Sequence, residues 1–186
     1  MAVLTAQIVD RVVAPVMAVV FVGALFGAER PPAIDEYQMK AAFVYNFAKF
    51  VEWPADAFNG AGAPLSICIL GRNPFGRSLV ETIEGQVVNG RKLVVVEISD
   101  AKQASRCQVV FVSASEQKRL RAIVADLSVA STLTIGDLEG FGEAGGIIHL
   151  VLEDGRVRFR INEKVAERQR LRISSKLLSL AVEVKK

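Results

Sequence analysis

The chain has 186 residues, 51% of them hydrophobic, and a formal charge of +3, enough for one domain of ordinary size with a proper hydrophobic core. Two cysteines and one histidine cannot supply four zinc ligands at any usual spacing. Any Ser/His/Asp or Cys/His mechanism would have to run through His149, the single histidine. The first element is a leader: Val12 to Ala28 carries no charge, follows Arg11 and ends in small residues, the layout of a secretory signal peptide. Residues 1–28 are therefore expected to be removed, with Ala24 a second cleavage point and an uncleaved anchor the alternative. Residues 29–186 are expected to form a single exported domain.

Seven of the 13 aromatic residues lie between Tyr37 and Phe58. Asp35 has the spacing of an N-cap, with Gln38 completing a capping box. Met39, Phe43, Phe47 and Phe50 recur at helical spacing, which predicts a helix with those four in the core and an end at Trp53-Pro54. Asn59 to Pro64 reads as a connector, and Leu65 to Leu70 (LSICIL) as a strand buried on both faces. A helix over Phe75 to Glu84 follows, then strands over Lys92 to Ile98 and Gln108 to Val112, a helix from Glu116 to Leu127, and a strand over Thr132 to Ile135. Gly136 to Gly146 is a glycine-rich loop. Ile147 to Leu152 and Arg156 to Ile161 flank Asp154-Gly155, a strong hairpin signal. A helix over Asn162 to Arg168, an extended piece at Leu171 to Ile173 and a helix over Ser174 to Val182, burying Leu177, Leu178, Leu180 and Ala181, complete the chain. The alternation predicts an α/β fold: a mostly parallel sheet with helices on both faces and a C-terminal antiparallel hairpin at its edge.

In an oxidising compartment an even cysteine count favours a disulfide, and Cys68 with Cys107 is the one intramolecular pairing available. If the first and third strands of the parallel sheet are neighbours, the two residues lie where a bond could form. Gly71-Arg72-Asn73-Pro74-Phe75-Gly76-Arg77-Ser78 matches the phosphate-loop pattern except that Arg77 replaces lysine, and arginine is not its equivalent. A nucleotide site is not expected; a small anion held by Arg72, Gly76 and Arg77 is the weaker claim. His149 shares a strand face with Ile147 and Val151, as a structural histidine does. No Gly-x-Ser-x-Gly elbow surrounds Ser113 or Ser115, so no catalytic constellation is expected. Arg156, Arg158 and Arg160 alternate with Val157, Phe159 and Ile161, giving one cationic and one apolar strand face. That cationic row is either a solvated face that discourages edge pairing or a surface for an anionic partner. Nucleic acid does not fit, because export removes it and no aromatics interleave with the arginines.

The leader together with MKAAFVYNFAKFVEWP, LSICILG, CQVVFVS, LTIGD, GRVRFRIN and LRISSKLLSLA resembles the YfiR family of bacterial periplasmic proteins, in the same order from about Glu36 to Val182. The resemblance implies a non-enzymatic repressor of a membrane-bound diguanylate cyclase, YfiN, working with an outer-membrane lipoprotein, YfiB. Release of repression raises cyclic di-GMP and promotes biofilm formation. It also implies an α/β fold, a capacity to form homodimers, and no cofactor. Cys68 and Cys107 match the family's cysteine pair; the second pair of some members is missing, with His149 on the matching strand. The expected contact surface for the cyclase's periplasmic domain combines Tyr45, Lys49 and Trp53 of the aromatic helix with Arg156, Arg158 and Arg160 of the hairpin. The rival readings are a small-molecule or anion sensor built on the glycine loop and an envelope hydrolase centred on His149.

Overall fold

The computed structural model describes residues 35–60, 62–128 and 130–186; the expected leader lies outside them. Asp35 opens the first helix, α1 (Glu36–Phe50), through the capping box expected for it, with its carboxylate bonded to backbone N–H groups of the first turn and Gln38 reaching back to its own. The helix ends at Phe50, three residues before Trp53. Val51 turns extended, and β1 (Val51–Glu52) pairs antiparallel with β9 (Arg172–Ile173), so a tertiary pairing stops the helix before proline does.

The buried stripe of α1 also differs from the aromatic row. Ala41, Val44, Phe47 and Ala48 are fully buried, whereas Met39 is 36% exposed and Phe43 and Phe50 are half-buried. Residues spaced at i, i+4, i+8 drift about 40° around a helix at each step, so Met39 and Phe47 cannot share one narrow contact line. The small side chains of Ala41 and Ala48 mark the line that faces the sheet.

The remaining elements are β2 (Leu65–Leu70), α2 (Ser78–Ile83), β3 (Val87–Val88), β4 (Arg91–Ile98), β5 (Val109–Val112), α3 (Leu120–Leu127), β6 (Leu133–Gly136), β7 (Ile148–Glu153), β8 (Arg156–Asn162), α4 (Glu163–Arg168), α5 (Ser175–Leu178) and β10 (Glu183–Lys185). Eight strands form one sheet in the order β10-β8-β7-β6-β5-β2-β4-β3. β4, β2, β5, β6 and β7 run parallel, and β8 returns antiparallel to β7. The expected α/β architecture with its hairpin is present. Two short strands extend it: β10 lies outside the hairpin, parallel to β8, and β3 lies antiparallel to β4 at the opposite edge. The hairpin turns at Asp154-Gly155, where both residues take positive φ, 50° and 70°, as a two-residue turn between right-twisted strands demands.

Three helices are shorter than their patterns suggested. In α2 the Asn73 side chain accepts the Phe75 N–H at 2.8 Å, and this local bond holds residues 73–77 in turns until Ser78. A 3-10 segment, Ala114–Arg119, precedes α3. The last helix ends at Leu178; Leu180, expected in the core, is 60% exposed.

Strand alternation divides the core into two layers. Ile67, Ile69, Val109, Phe111, Leu133 and Ile135 face α1 and α2, and Cys68, Leu70, Val110 and Val112 face α3. β2 and β5 are neighbours, as the cysteine reading required. Cys68 and Cys107 form a disulfide with Cα atoms 5.8 Å apart, tying β2 to the segment that enters β5.

Candidate functional site

The two groups of residues expected to form one contact surface lie on opposite faces of the sheet. Phe159 of β8 packs edge-on against Phe43 and Phe47 of α1, with ring centroids 5.7 and 5.0 Å away. Side chains alternate along a strand, so Arg156, Arg158 and Arg160 project from the other face. The combined surface therefore separates into two.

On the α1 side, the Tyr45 hydroxyl donates to Gln86 Oε1 at 2.9 Å and the Lys49 ammonium sits 5.2 Å from the Tyr45 ring centroid. Trp53 is half-buried, and its Nε1–H donates to the Gln108 carbonyl at 3.0 Å. The open side of its ring lines a cleft of about 450 Å³ with Glu52, Phe58, Val88 and Arg91. Arg91 is fixed there: its guanidinium donates to the Ala63 carbonyl at 2.6 Å and lies 3.8 Å from the Phe58 ring centroid. This end of the molecule thus carries a rigid aromatic and cationic wall.

On the other face, Arg160 pairs with Glu153 at 2.9 Å and with Glu183 of β10 at 3.6 Å. Arg156 and Arg158 are exposed and have no ion-pair partner among the described residues. His149 stands directly across from Arg160 in the β7–β8 ladder. Burial, with the Arg160 charge adding to it, holds the His149 pKa below its ordinary value, against Glu143 and Asp137, so the imidazole is neutral at pH 7. His149, Arg160, Glu143, Glu183 and Lys185 line a cleft of about 120 Å³ whose wall holds no hydroxyl or thiol.

The glycine loop follows β2, at the crossover where the neighbouring strands β2 and β5 send the helices that follow them, α2 and α3, to opposite faces of the sheet. In open α/β sheets that crossover is where a ligand crevice forms. Here it is filled: the Arg72 N–H donates to Ser115 Oγ at 2.9 Å, and a Cβ on Gly71 would collide with Ser115. Glu116, itself paired with Arg119, packs beside it. Arg77 pairs with Glu81 in the next turn and Gly76 takes a positive φ of 56°.

One cluster had no motif to mark it. Lys40 is 4% exposed, and its ammonium contacts Asp137 and Glu36, each at 2.5 Å. The Tyr37 hydroxyl donates to the same Asp137 oxygen at 3.0 Å, while Asp137 Oδ1 is buried without a partner. Burial would lower the Lys40 pKa, but its bonds to Asp137 and Glu36 outweigh that and raise it; burial first, then the Asp137 charge, raises that of Tyr37. The available signal was a lysine inside the apolar stripe of α1 and an acid directly after a buried strand.

These features describe an α/β domain in which Lys40, Arg77, Arg119 and Arg160 are tied into ion pairs while Arg156 and Arg158 stay exposed. The family pattern described as YfiR/HmsC-like matches residues 37–182. The chain belongs to that family, whose members are periplasmic regulators of diguanylate cyclases, a regulatory rather than a catalytic group. No curated protein matches. The chain is similar to a crystal structure of a conserved domain protein from Vibrio cholerae O1 biovar El Tor, with a TM-score of 0.54 and 15% identity over 81% of this chain and 60% of that one. It also matches the ABC domain in complex with L-Trp from Streptococcus pneumonia, with a TM-score of 0.49 and 13% identity over 64% of this chain and 55% of that one. At such identity the Vibrio likeness concerns the fold alone. None of the described helices is long and apolar enough to cross a membrane.

Proposed function

We propose that this protein binds the periplasmic domain of a membrane diguanylate cyclase and holds the enzyme inactive, lowering cyclic di-GMP and biofilm formation. The observation that carries this reading is the family match, which spans nearly all the residues between Asp35 and the C-terminus. Inhibition is by occupancy: no bond is made or broken, and an envelope signal or a competing partner such as an outer-membrane lipoprotein releases the cyclase. The contact surface combines Tyr45 and Lys49 of α1, stacked on each other, with Trp53, which follows the helix and lines the cleft with Phe58 and Arg91. Trp, Tyr and Arg are the side chains that dominate interface energetics, and these are held in place by the fold before any partner arrives. Arg156 and Arg158 form a second, separate surface for an acidic patch.

Titrating the purified protein against a cyclase periplasmic domain tests this surface. Trp53→Ala should weaken binding at least tenfold with the circular dichroism spectrum unchanged, and Arg156→Glu with Arg158→Glu should weaken it less. Equal binding by the Trp53 variant and the wild type would move the contact elsewhere.

A further inference from the structure

The solvent side of α1 is unlike that of an ordinary surface helix. Between Glu36 and Lys49 none of its exposed residues is charged, since Lys40 is buried. A helix that faces water normally sets charged side chains opposite its core stripe. Met39, Ala42, Phe43, Asn46 and Phe50 instead fall within about 100° of arc. Met39, exposed, with half-buried Phe43 and Phe50, leaves apolar surface open along roughly 16 Å of helix. The C-terminal segment forms a facing wall. α5 lies beside α1, with Lys176 Nζ 5.5 Å from the Phe50 ring centroid and half-buried Leu178 packed on the same core layer. Beyond it the Val182 N–H donates to the Phe159 carbonyl at 3.0 Å, and Val182 stays 42% exposed. Phe159, against which Phe43 packs, is the floor between the two walls. Leu152 shares the strand face of Leu150 and is 56% exposed, which extends the apolar surface along β7. An apolar groove of this kind marks a site of contact.

We propose that this groove receives an amphipathic helix of the partner protein, packed antiparallel to α1. Backbone hydrogen bonding favours a helix over a strand. The outer side of β8 is already taken from Phe159 to Asn162 by Val182 to Lys185, so the groove offers side chains and no free ladder positions. A strand laid there would bury its own N–H and C=O groups against apolar side chains, whereas a helix satisfies them internally. Anchors at helical spacing on one face of the partner then meet Met39, Phe43 and Phe50, and small Ala42 lets the two helices approach closely.

Charge sets the direction. Asp35 and Glu36 are exposed at the N-terminal end of α1, and Lys49 and Lys176 are exposed at its other end. Helices favour acidic residues in their first turn and basic residues in their last. An antiparallel partner helix therefore brings its acids to Lys49 and Lys176 and its bases to Asp35 and Glu36. The groove adjoins Tyr45 and Lys49, so it continues the contact surface proposed above along the whole of α1. That the helix belongs to the periplasmic domain of a cyclase rests on the repressor reading; its shape, polarity and direction rest on the groove.

Two variants titrated against a purified cyclase periplasmic domain test the groove. Ala42→Glu sets a charge in the middle of the uncharged face at an exposed helix position, and should weaken binding at least tenfold with the circular dichroism spectrum and urea midpoint unchanged. Lys176→Glu should weaken it about threefold and reduce its dependence on salt. Wild-type binding that Ala42→Glu leaves intact would overturn the groove and spare the repressor reading, and an unchanged salt dependence in Lys176→Glu would overturn the antiparallel direction. No binding by the wild type would overturn both readings. A wild-type dimer in light scattering that Ala42→Glu converts to monomer would assign the groove to a second copy of the chain, again overturning the proposal.

Discussion

Lys40 decides how the first turns of α1 sit on the sheet. Its ammonium is taken out of water and is held there by Asp137 and Glu36, with Tyr37 sharing the Asp137 oxygen. Removing one partner of a buried pair leaves the other charged and unpaired, which costs about 3–5 kcal/mol. Lys40→Ala should therefore lower the unfolding free energy by that order in urea titrations, and the double variant with Asp137→Leu should recover part of the loss. A loss below about 1 kcal/mol, the size of a surface pair, would mean the cluster is solvated. His149 makes a pH prediction. Its folded pKa lies below the ordinary value of 6.5, so between the two the unfolded chain binds more protons than the folded one. Stability should fall as pH drops below about 6.5 and level off once the folded imidazole also protonates. His149→Gln should flatten that slope in melts run between pH 7 and pH 5, and an unchanged slope would assign it to other groups.

At the scale of elements, α1 is held by a narrow line of small side chains. Ala41 and Ala48 are fully buried where the helix meets the sheet, so Ala48→Leu should force the helix outward and cost about 1–3 kcal/mol, measured as a lower urea midpoint. What the sequence made legible follows the same logic. LSICIL and QVVFV are apolar throughout, and only a strand covered on both faces calls for that pattern; Asp154-Gly155 needs positive φ twice, and it marks a hairpin wherever strands flank it. Asn162 closes β8 and caps α4 through its side-chain oxygen, so the Phe-x-Ile-Asn pattern was readable as a boundary. Other features depend on partners distant in sequence. The end of α1 is set by β9, more than a hundred residues away, and β3 and β10 are too short to show a period. The contact residues carried the same limit: alternation told which side of β8 the arginines take, but only the packing of Phe159 on α1 shows that Tyr45 and Trp53 are on the opposite side.

For the whole molecule, the division of labour between surfaces matters most. The crossover crevice that a ligand-binding α/β protein would open is packed with Ser115 and Glu116, and the glycine loop is tied down by Asn73 and Ser115. What remains open among the described residues is a preformed aromatic end and, on the opposite face, the exposed Arg156 and Arg158. The central claim is repression, and the most direct test is cyclic di-GMP measured in cells with and without the gene. Deletion should raise cyclic di-GMP and the wild-type gene supplied in trans should restore it, whereas an unchanged level in the deletion strain would contradict the account.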